Sequence, residues 1–393
     1  MTSSPSLSTV LIVGAGFAGI GIFNELSRRL DSKTKIILVN PRQHLVHLPA
    51  ACRLIVPNST DATFEDKVLL PFTSRFNEEN RRTVYSKVTL IDDAGDQPSV
   101  TLENGEKVGY TYLVLAPGSL WEGPMDFPNT KEETLAHLKK WHDRFEKAND
   151  IVLLGGGGVS FEYAGEIRDE FPTKNVTVVH SRELLLNDVY PDFWRKQVNA
   201  SLERRNIRLV LGERVDDIEP KNGVITTRSG KEIPADLVVS LSLLPASHPL
   251  THAGKIPTRG PRPNTDFVAS SLGTDSLTPS GHVKVLPTMQ LVNHPRIFAA
   301  GDIVDWNEQK SARKAFGHAK IVWANLQTLL AAPHATNLTT YRGSYEALPL
   351  TNGRNGGTAY WGILWGITFG DWFTSRFASR NLYVEQVKRL MNL

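Results

Sequence analysis

The N-terminal part of the sequence has two apolar runs separated by a glycine-rich turn and a segment with helical spacing, which is the order typical of a β-α-β unit. Residues 9–13 are almost wholly apolar, which predicts a buried parallel strand. A glycine-rich turn at 14–19 follows at once, and residues 20–29 carry apolar side chains at helical spacing. Residues 35–39 are apolar again and predict the next strand, so that the unit is complete within about thirty residues.

A second alternation of the same kind begins at residue 150. Residues 150–154 predict a strand, 155–158 a glycine turn, 159–170 a helix and 176–179 another strand. The order of elements in the first part of the chain therefore recurs, and an internal duplication is a stronger indication of fold than either half alone.

The remaining pattern connects and extends these two units. It predicts a meander of short strands at 84–115, helices at 131–147, 192–205 and 312–330, and strands near 236–240, 283–286 and 296–302. Residues 244–282 are rich in Pro, Gly, Ser and Thr and predict an extended excursion.

The C-terminal tail, residues 345–393, is dense in aromatic residues and glycine. Five aromatic residues recur there at close to helical spacing: Trp361, Trp365, Phe369, Trp372 and Phe373. Two interpretations stay open, namely packing against the domain of the first β-α-β unit, or a surface that lines an acceptor site or enters lipid headgroups.

Composition and charge exclude several classes of protein. The chain has 393 residues, which fits two or three domains, and its 40% hydrophobic and 22% charged residues are ordinary for a soluble globular protein. Because Lys and Arg exceed Asp and Glu by only 44 − 41 = 3, nucleic-acid binding is not indicated. No stretch approaches the ~18 apolar residues of a membrane span. The N-terminus resembles no signal peptide, so we expect a cytoplasmic protein, at most peripheral to a membrane.

Cysteine usage excludes a further chemistry. Cys52 is the only cysteine, so there is neither an internal disulfide nor a redox-active Cys pair, and no zinc or iron–sulfur spacing is present. We interpret Cys52 as a packing residue and expect no metal site. Thr2 occupies the position where myristoylation requires glycine.

The first glycine turn has the residue types that a dinucleotide requires. Gly14 permits the tight turn, Gly16 permits a pyrophosphate to approach the backbone, and Gly19 lets helix and strand pack closely. The amides at the helix N-terminus meet the negative charge. The ribose-binding acid expected near position 40 is replaced by Asn40, an amide that can still accept and donate hydrogen bonds.

The second glycine turn is less regular. Gly155 and Gly157 match the first two glycine positions, and His180, Ser181 and Arg182 stand where an acid would favour NAD. Arg182 and Ser181 could hold the extra phosphate of NADP, which predicts tolerance of NADPH. The alternative is a solvated strand end.

Gly301 and Asp302 follow an apolar strand and precede a helix. An aspartate in this place can reach a sugar or ribityl hydroxyl, and it can also be a helix N-cap.

Together these motifs resemble the apoptosis-inducing-factor-like flavoproteins, near their ferroptosis suppressor branch, and more distantly the type II NADH dehydrogenases and the glutathione-reductase superfamily. The segments that carry the resemblance are 14–19, 116–119, 155–162 with Glu166, 298–302 and, for the branch, 353–356. The resemblance implies an α/β fold with two Rossmann-like three-layer (ββα) dinucleotide-binding domains. By it, residues 1–120 and 283–340 form a discontinuous FAD domain, 121–282 the NAD(P)H domain, and 341–393 a C-terminal segment.

The resemblance also implies the residues of each site. The residues that would line non-covalently bound FAD are Gly14, Ala15, Gly16, Phe17, Ala18, Gly19, Asn40, Arg53, Val88, Ala116, Gly118 and Asp302. Those that would face NADPH or NADH are Gly155, Gly157, Glu162, His180 and Arg182, with Glu162 as the candidate for orienting the nicotinamide ring. The sequence departs from the family at Asn40, at Ser160 in the third glycine position, and at 240–242 in place of Thr-Gly.

The function that follows is transfer of a hydride from NAD(P)H to FAD, and of electrons to a small, quinone-like acceptor. Lys310 and His318, near the helix on the flavin side, are weaker candidates for a part in it. Two alternatives stay open: a flavoenzyme of a specialised biosynthetic pathway, which the altered NAD(P) half and the loop at 244–282 favour, and a redox-sensing flavoprotein with little turnover. The sequence leaves the oligomeric state open.

Overall fold

The computed structural model describes residues 8–30, 33–57, 61–78, 80–240 and 261–393. Its strands are β1 (Ser8–Val13), β2 (Thr34–Val39), β3 (His44–Val46), β4 (Leu69–Pro71), β5 (Arg81–Val84), β6 (Val88–Asp92), β7 (Ser99–Leu102), β8 (Lys107–Gly109), β9 (Tyr112–Leu115), β10 (Ser119–Leu120), β11 (Asp150–Leu154), β12 (Asn175–His180), β13 (Arg208–Leu211), β14 (Val224–Thr226), β15 (Glu232–Pro234), β16 (Leu237–Ser240), β17 (Arg262–Pro263), β18 (Gln290–Leu291), β19 (His294–Ala299), β20 (Ala347–Thr351), β21 (Gly357–Trp361) and β22 (Ile367–Phe369). Its helices are α1 (Phe17–Arg29), α2 (Ala51–Ile55), α3 (Phe64–Val68), α4 (Lys131–Lys147), α5 (Gly158–Glu170), α6 (Asp192–Glu203), α7 (Asp266–Leu272), α8 (Ala312–Ala331), α9 (Asp371–Thr374) and α10 (Val384–Met391).

The first unit is built on a six-stranded sheet with the order β18-β19-β9-β1-β2-β5. The contacts within β19-β9-β1-β2-β5 are parallel, and β18 is an antiparallel edge strand. Helices α1 and α8 pack together beside this sheet, and the antiparallel meander β6-β7-β8 adds its apolar side chains to the same core. Because β1 is buried on both faces, it is a continuous apolar run rather than an alternating one.

The second unit repeats this plan on a smaller scale. Its parallel sheet has the order β13-β12-β11-β16, with helix α5 following β11 as α1 follows β1. The antiparallel pair β14-β15 packs against it in a small core of its own. The predicted α/β class with two Rossmann-like units is confirmed, and most predicted strands and helices lie within two residues of their observed bounds.

The extended excursion between the units differs from its prediction. Residues 241–260, which include the first part of the predicted excursion and the Leu241-Ser242 departure, lie outside the described part, as do residues 1–7. After the gap, β17 pairs with β10, α7 packs against β6, and the Ser271 hydroxyl accepts from the Ile91 amide at 2.8 Å. These contacts join 262–276 to the first unit, whereas the sequence assigned them to the second.

The C-terminal segment corrects the expectation of helical spacing in the tail. Residues 357–369 form the hairpin β21–β22, and β20 completes a three-stranded antiparallel sheet. This sheet packs on α5 and α6 of the second unit, and α10 reaches α1 of the first. The segment therefore contacts both units.

Among the helices in the described ranges, none combines the length and the apolar character that crossing a bilayer requires.

Candidate functional site

The first glycine loop has a backbone that only glycine adopts easily. Gly14 has φ +98°, and its amide donates to the Val39 carbonyl at 2.8 Å, which fixes the loop to the end of β2. A Cβ at Gly14 would overlap the Ala116 carbonyl, and one at Gly19 would overlap the Gly14 carbonyl. The loop, β9 and α1 therefore pack too closely for any side chain at these positions.

Gly16 differs from its neighbours because it faces open space. A Cβ built there meets no described atom within 4 Å. Gly16 is the N-cap of α1, and the helix start carries neither a side-chain cap nor an acidic residue in its first turn. Exposed amides and the positive end of the helix dipole meet in this space, which fits a pyrophosphate.

Asn40, at the end of β2, is bonded to the backbone of the first glycine loop. Its Oδ1 accepts a hydrogen bond from the Ala15 amide at 3.1 Å, and its Nδ2 donates to the Arg42 carbonyl at 2.7 Å. The amide that replaces the expected acid thus keeps the loop in shape, and one oxygen lone pair is left for a ribose hydroxyl.

The second glycine loop repeats this geometry bond by bond. Gly155 has φ +105° and donates to the Val179 carbonyl at 2.9 Å. Gly157 is the N-cap of α5, also without a side-chain cap, and a Cβ there meets no described atom within 4 Å. His180 takes the place of Asn40, since its Nδ1 accepts from the Gly156 amide at 3.0 Å. Both loops therefore suit the same kind of phosphate group.

The electrostatics around His180 differ from those of an acidic strand end. Burial, together with the nearby Arg182 and Arg195, lowers the pKa of His180 to about 4, so the ring is neutral at pH 7. Because Nδ1 accepts from an amide, the ring proton is on Nε2, a buried donor without a partner among the described residues. Arg182 lies 3.6 Å from Asp188, whose side chain is 80% exposed.

Ser160, in the third glycine position, is almost fully buried. The residue is 1% exposed, and its hydroxyl has no hydrogen-bond partner in the described part of the chain. The helix therefore accommodates the larger side chain, and a polar atom is left without a partner inside the second unit.

Gly301 and Asp302 lie beside the first loop. Gly301 has φ +80°, and a Cβ there would be 3.4 Å from that of Ala18, so the motif approaches the start of α1. Asp302 accepts a hydrogen bond from the Ser119 hydroxyl at 2.9 Å. The structure thus brings together the motifs at 14–19, 116–119 and 301–302, as the sequence predicted.

A buried cluster of ionisable side chains is bonded to the Gly301 backbone through His318. His318 Nδ1 accepts from the Gly301 amide at 3.1 Å, and its Nε2 lies 2.8 Å from the Glu308 carboxylate. The same carboxylate accepts from the Tyr341 hydroxyl at 2.9 Å and lies 3.2 Å from Lys314 Nζ. We call Glu308, Lys314, His318 and Tyr341 the Glu308 cluster.

The weaker candidates Lys310 and His318 are therefore explained by packing. Lys310 Nζ donates to the Val304 and Trp306 carbonyls at 2.6 and 3.3 Å, and burial lowers its pKa. Neither side chain needs a ligand for its observed bonds, and no motif in the sequence indicates the buried Glu308 beside His318.

Arg53, which is predicted to line FAD, contacts three parts of the protein through its guanidinium. Its guanidinium forms a bidentate pair with Glu166 of α5, at 2.9 and 2.8 Å, and both groups are buried. It also donates to the Ser379 and Arg380 carbonyls at 2.7 and 3.3 Å. Arg53 thus joins the two units and the C-terminal segment, and these bonds use four of the five N–H donors of its guanidinium.

Glu162 lies one turn before Glu166 on α5 and faces the same junction. Its carboxylate accepts from the Thr351 amide and hydroxyl at 3.3 and 3.2 Å. Burial raises the pKa of Glu162 to about 7, against the opposing effect of these two bonds. Burial and the nearby Glu162 also raise the pKa of Tyr383 to about 12. Thr351 and Tyr383 were not predicted, because they approach Glu162 only through the folding of the C-terminal segment.

Three further residues are predicted to line FAD: Val88, Ala116 and Gly118. Val88 is 8% exposed and belongs to the core of the first unit, where it pairs with Leu102. Ala116 donates its amide to the Val13 carbonyl at 2.8 Å, and Gly118 has φ +71° with open space where a Cβ would be.

Comparison with known proteins agrees with this geometry. The sequence profile of the family described as pyridine nucleotide-disulphide oxidoreductase matches residues 8–319. The FAD-dependent oxidoreductase FVFD30 of Flammulina velutipes is 39% identical over 300 residues, covering 76% of this chain and 87% of that protein. Ferroptosis suppressor protein 1 of Taeniopygia guttata is 30% identical over 396 residues, covering 97% and 95%.

Solved structures support the fold. A sulfide:quinone oxidoreductase from Aquifex aeolicus superposes with a TM-score of 0.70 at 18% identity, covering 98% of this chain and 92% of the other. Putidaredoxin reductase, in its covalent complex with putidaredoxin, superposes with a TM-score of 0.67 at 19% identity, covering 90% and 81%. The family profile, the two relatives and the duplicated loops agree, and the chain belongs to the pyridine nucleotide-disulphide oxidoreductase family.

Proposed function

We propose that this protein is an FAD-dependent oxidoreductase that takes a hydride from NAD(P)H and passes electrons to a small, quinone-like acceptor. The observation that carries the proposal is the pair of equivalent loops, each with an open glycine at an uncapped helix N-terminus. Two dinucleotides in one chain are the arrangement in which flavin and nicotinamide can meet. FAD fits the first loop because Gly301 and Asp302 lie beside it, and NAD(P)H is left for the second.

The sequence provides no cysteine pair that could relay electrons after the flavin. Cys52 is the only cysteine, and it is buried, with burial raising its pKa well above the usual range. A protonated thiol without a partner cannot form the disulfide that gives the family its name. Electrons therefore leave for an external acceptor, and the Phe17 and Phe316 rings at the start of α1 and in α8, with centroids 5.6 Å apart, suit a planar one.

Proton balance gives Glu162 a role in this reaction. NAD(P)H supplies a hydride, and reduction of a quinone to a hydroquinone consumes one further proton. A carboxyl group whose pKa is raised to about 7 can hold that proton at Oε at neutral pH. Glu162 lies on α5, the helix that begins at the second loop, and this supports its proposed part in orienting a nicotinamide bound there.

The surroundings of His180 favour NADPH over NADH. A neutral His180 presents Nε2–H as a donor, and Arg182, Arg195 and Arg214 all act on it through their positive charge. Donors and positive charge at the end of the second strand suit a 2′-phosphate, whereas an acid there would suit a free ribose hydroxyl.

Anaerobic spectroscopy of the purified protein tests the proposal. We expect a yellow protein whose flavin absorbance is bleached by NADPH, with a lower KM for NADPH than for NADH, and restored by a quinone such as menadione. A colourless protein that does not take up FAD, or a flavin that neither nucleotide bleaches, would refute it. Bleaching without reoxidation by quinones would retain the family chemistry and exclude this acceptor.

We propose further that the tip of the C-terminal sheet contacts lipid headgroups. Leu364 and Trp365, in the β21–β22 turn, are 74% and 98% exposed, and Trp372 of α9 is 80% exposed. Such exposure of tryptophan is costly in water, and the headgroup region is where its amphipathic ring is favoured. We call these three residues the aromatic tip.

Vesicle flotation tests this contact. We expect the protein to float with vesicles of phosphatidylcholine and phosphatidylserine, and the double variant W365S/W372S to stay behind, because the apolar contact is lost. Phe193→Ser is the matched control, since Phe193 is 46% exposed but lies on α6, outside the aromatic tip. Equal flotation of W365S/W372S and wild type would exclude the tip as the lipid contact.

A further inference from the structure

His47 carries a buried ring nitrogen without a partner. The residue is 0% exposed, and it follows β3 directly at the start of the turn that leads into α2. Its amide donates to the Val68 carbonyl at 2.9 Å, which fixes the backbone. Nδ1 makes no hydrogen bond to any described residue. Since buried polar atoms nearly always have a partner, this atom indicates a group that binds here.

The other ring nitrogen settles which hydrogen-bonding role Nδ1 has. Nε2 lies 2.5 Å from the Leu382 carbonyl oxygen, and a carbonyl only accepts, so Nε2 carries the proton. Burial lowers the pKa of His47 against the opposing effect of this bond, and the ring is therefore neutral at pH 7. Nδ1 is consequently a pure acceptor that requires a donor.

The ring lies beside the first glycine loop. The His47 and Phe17 rings meet edge to face, with centroids 6.0 Å apart and an interplanar angle of 81°. Phe17 is the first residue of α1 and also contacts Phe316, at 5.6 Å, near the start of α8. The His47 ring is thus packed against the first residue of α1, whose start borders the proposed FAD site, and Phe17 links it to α8.

We propose that Nδ1 of His47 accepts a hydrogen bond from the ribityl–isoalloxazine part of FAD, and that His47 thereby couples FAD binding to docking of the C-terminal segment. The inference rests on the proposed binding of FAD at the first loop. That part of FAD offers ribityl hydroxyls and one ring N–H, and either satisfies a neutral imidazole acceptor.

The coupling follows from the second bond of the same ring. Leu382 and Tyr383 have φ of +47° and +61°, a conformation that such side chains rarely adopt and that surrounding contacts must maintain. The bond from His47 to the Leu382 carbonyl is one of these contacts, and the bonds from Arg53 to the Ser379 and Arg380 carbonyls secure the residues before it. FAD that orients the His47 ring therefore also favours the position of Tyr383 near Glu162.

Two substitutions separate the two bonds. The amide of Gln reaches the Nε2 position and that of Asn the Nδ1 position, so H47Q keeps the donor to Leu382 and H47N keeps the acceptor for FAD. We expect FAD to dissociate from the H47Q holoenzyme about tenfold faster than from wild type, as measured by the rise in FAD fluorescence. In the H47N holoenzyme we expect near wild-type FAD release but faster deuterium uptake at residues 379–384.

A matched control variant and the midpoint potential of the flavin complete the experiment. H137Q changes another histidine whose Nε2 bonds to a carbonyl, that of Pro124 at 2.9 Å, and it should leave FAD release unchanged. A shifted flavin midpoint potential in H47Q assigns the donor to the ring N–H, and an unchanged potential with faster release assigns it to a ribityl hydroxyl. Wild-type FAD release from H47Q, with NADPH still bleaching the flavin, overturns the inference and leaves the proposed function intact. A wild-type protein that binds no FAD overturns both.

Discussion

Replacing Gly157 by Asp is expected to lower kcat/KM for NADPH by about 10²- to 10³-fold, while the protein keeps its FAD. Gly157 has φ −79° and ψ 177°, which any residue adopts, and a Cβ there meets no described atom within 4 Å. Asp is also a favoured N-cap, so α5 should form at least as well. The new carboxylate, however, occupies the space proposed for the pyrophosphate, and opposed like charges cost several kcal/mol. Stopped-flow reduction of the flavin by NADPH measures the loss.

Two further variants make this result specific. Gly157→Asn has nearly the same shape without the charge and should lose less activity than G157D. Gly16→Asp makes the same change at the N-cap of α1, where φ is −82°, and should yield a folded protein that no longer retains FAD. If G157D kept the wild-type rate, or if it lost FAD in place of activity with NADPH, the assignment of the two loops would be wrong.

Breaking the Glu308 cluster is expected to destabilise the protein by about 3–5 kcal/mol, the usual effect of removing one member of a buried ion pair. The side chains of Glu308 and Lys314 are 2% and 1% exposed. Glu308→Gln leaves the ammonium of Lys314 with only Glu346, at 3.2 Å, as a charged partner among the described residues. Urea unfolding of E308Q, K314M and the double variant measures the effect. The double variant should recover part of the loss, because the ammonium of Lys314 is then no longer buried without Glu308, and only Glu346, which is 19% exposed, loses its lysine partner.

The same cluster predicts the direction of a pH dependence. Burial opposes ionisation of Glu308, but the bonds from His318 and Tyr341 outweigh it and lower the pKa of the carboxyl from 4.5 to about 2. A carboxyl with a depressed pKa stabilises the fold above its unfolded pKa. Its contribution is therefore complete above pH ~4.5 and is lost as the pH falls towards 2. The free energy of unfolding should fall less steeply over this range in E308Q than in wild type; parallel curves would contradict the assignment.

Local rules in the sequence determined the two nucleotide-binding loops. A strand that is buried on both faces is a continuous apolar run, and a turn with φ near +100° requires glycine, so Gly14 and Gly155 mark their own conformations. The spacing from loop to helix to second strand also placed Asn40 and His180 correctly, each beneath its loop. All of these relations lie within about thirty residues, where the chain geometry leaves few alternatives.

The C-terminal segment was decided by tertiary structure. Trp361, Trp365, Phe369 and Phe373 are four residues apart, and this spacing puts side chains on one face of a helix and of a strand alike. The hairpin was formed instead because Gly366, with φ +99°, turns the chain and the Trp361 and Phe369 rings pack at 4.9 Å. A periodicity that fits both a helix and a strand cannot predict which of them forms. The packing of the sheet against α5 and α6 stabilises the hairpin.

Tertiary structure also decided which polar side chains meet at the junction of the two units. Arg53 reaches Glu166 across 113 positions and Ser379 across 326, and His47 reaches Leu382 across 335. No local spacing encodes such pairs, because they form only when two folded units and a third segment dock. The sequence by itself thus determined the two equivalent loops that are proposed to bind nucleotides. Only the docking of distant segments determined which side chains surround the space between them, since burial there makes each polar group depend on partners far along the chain.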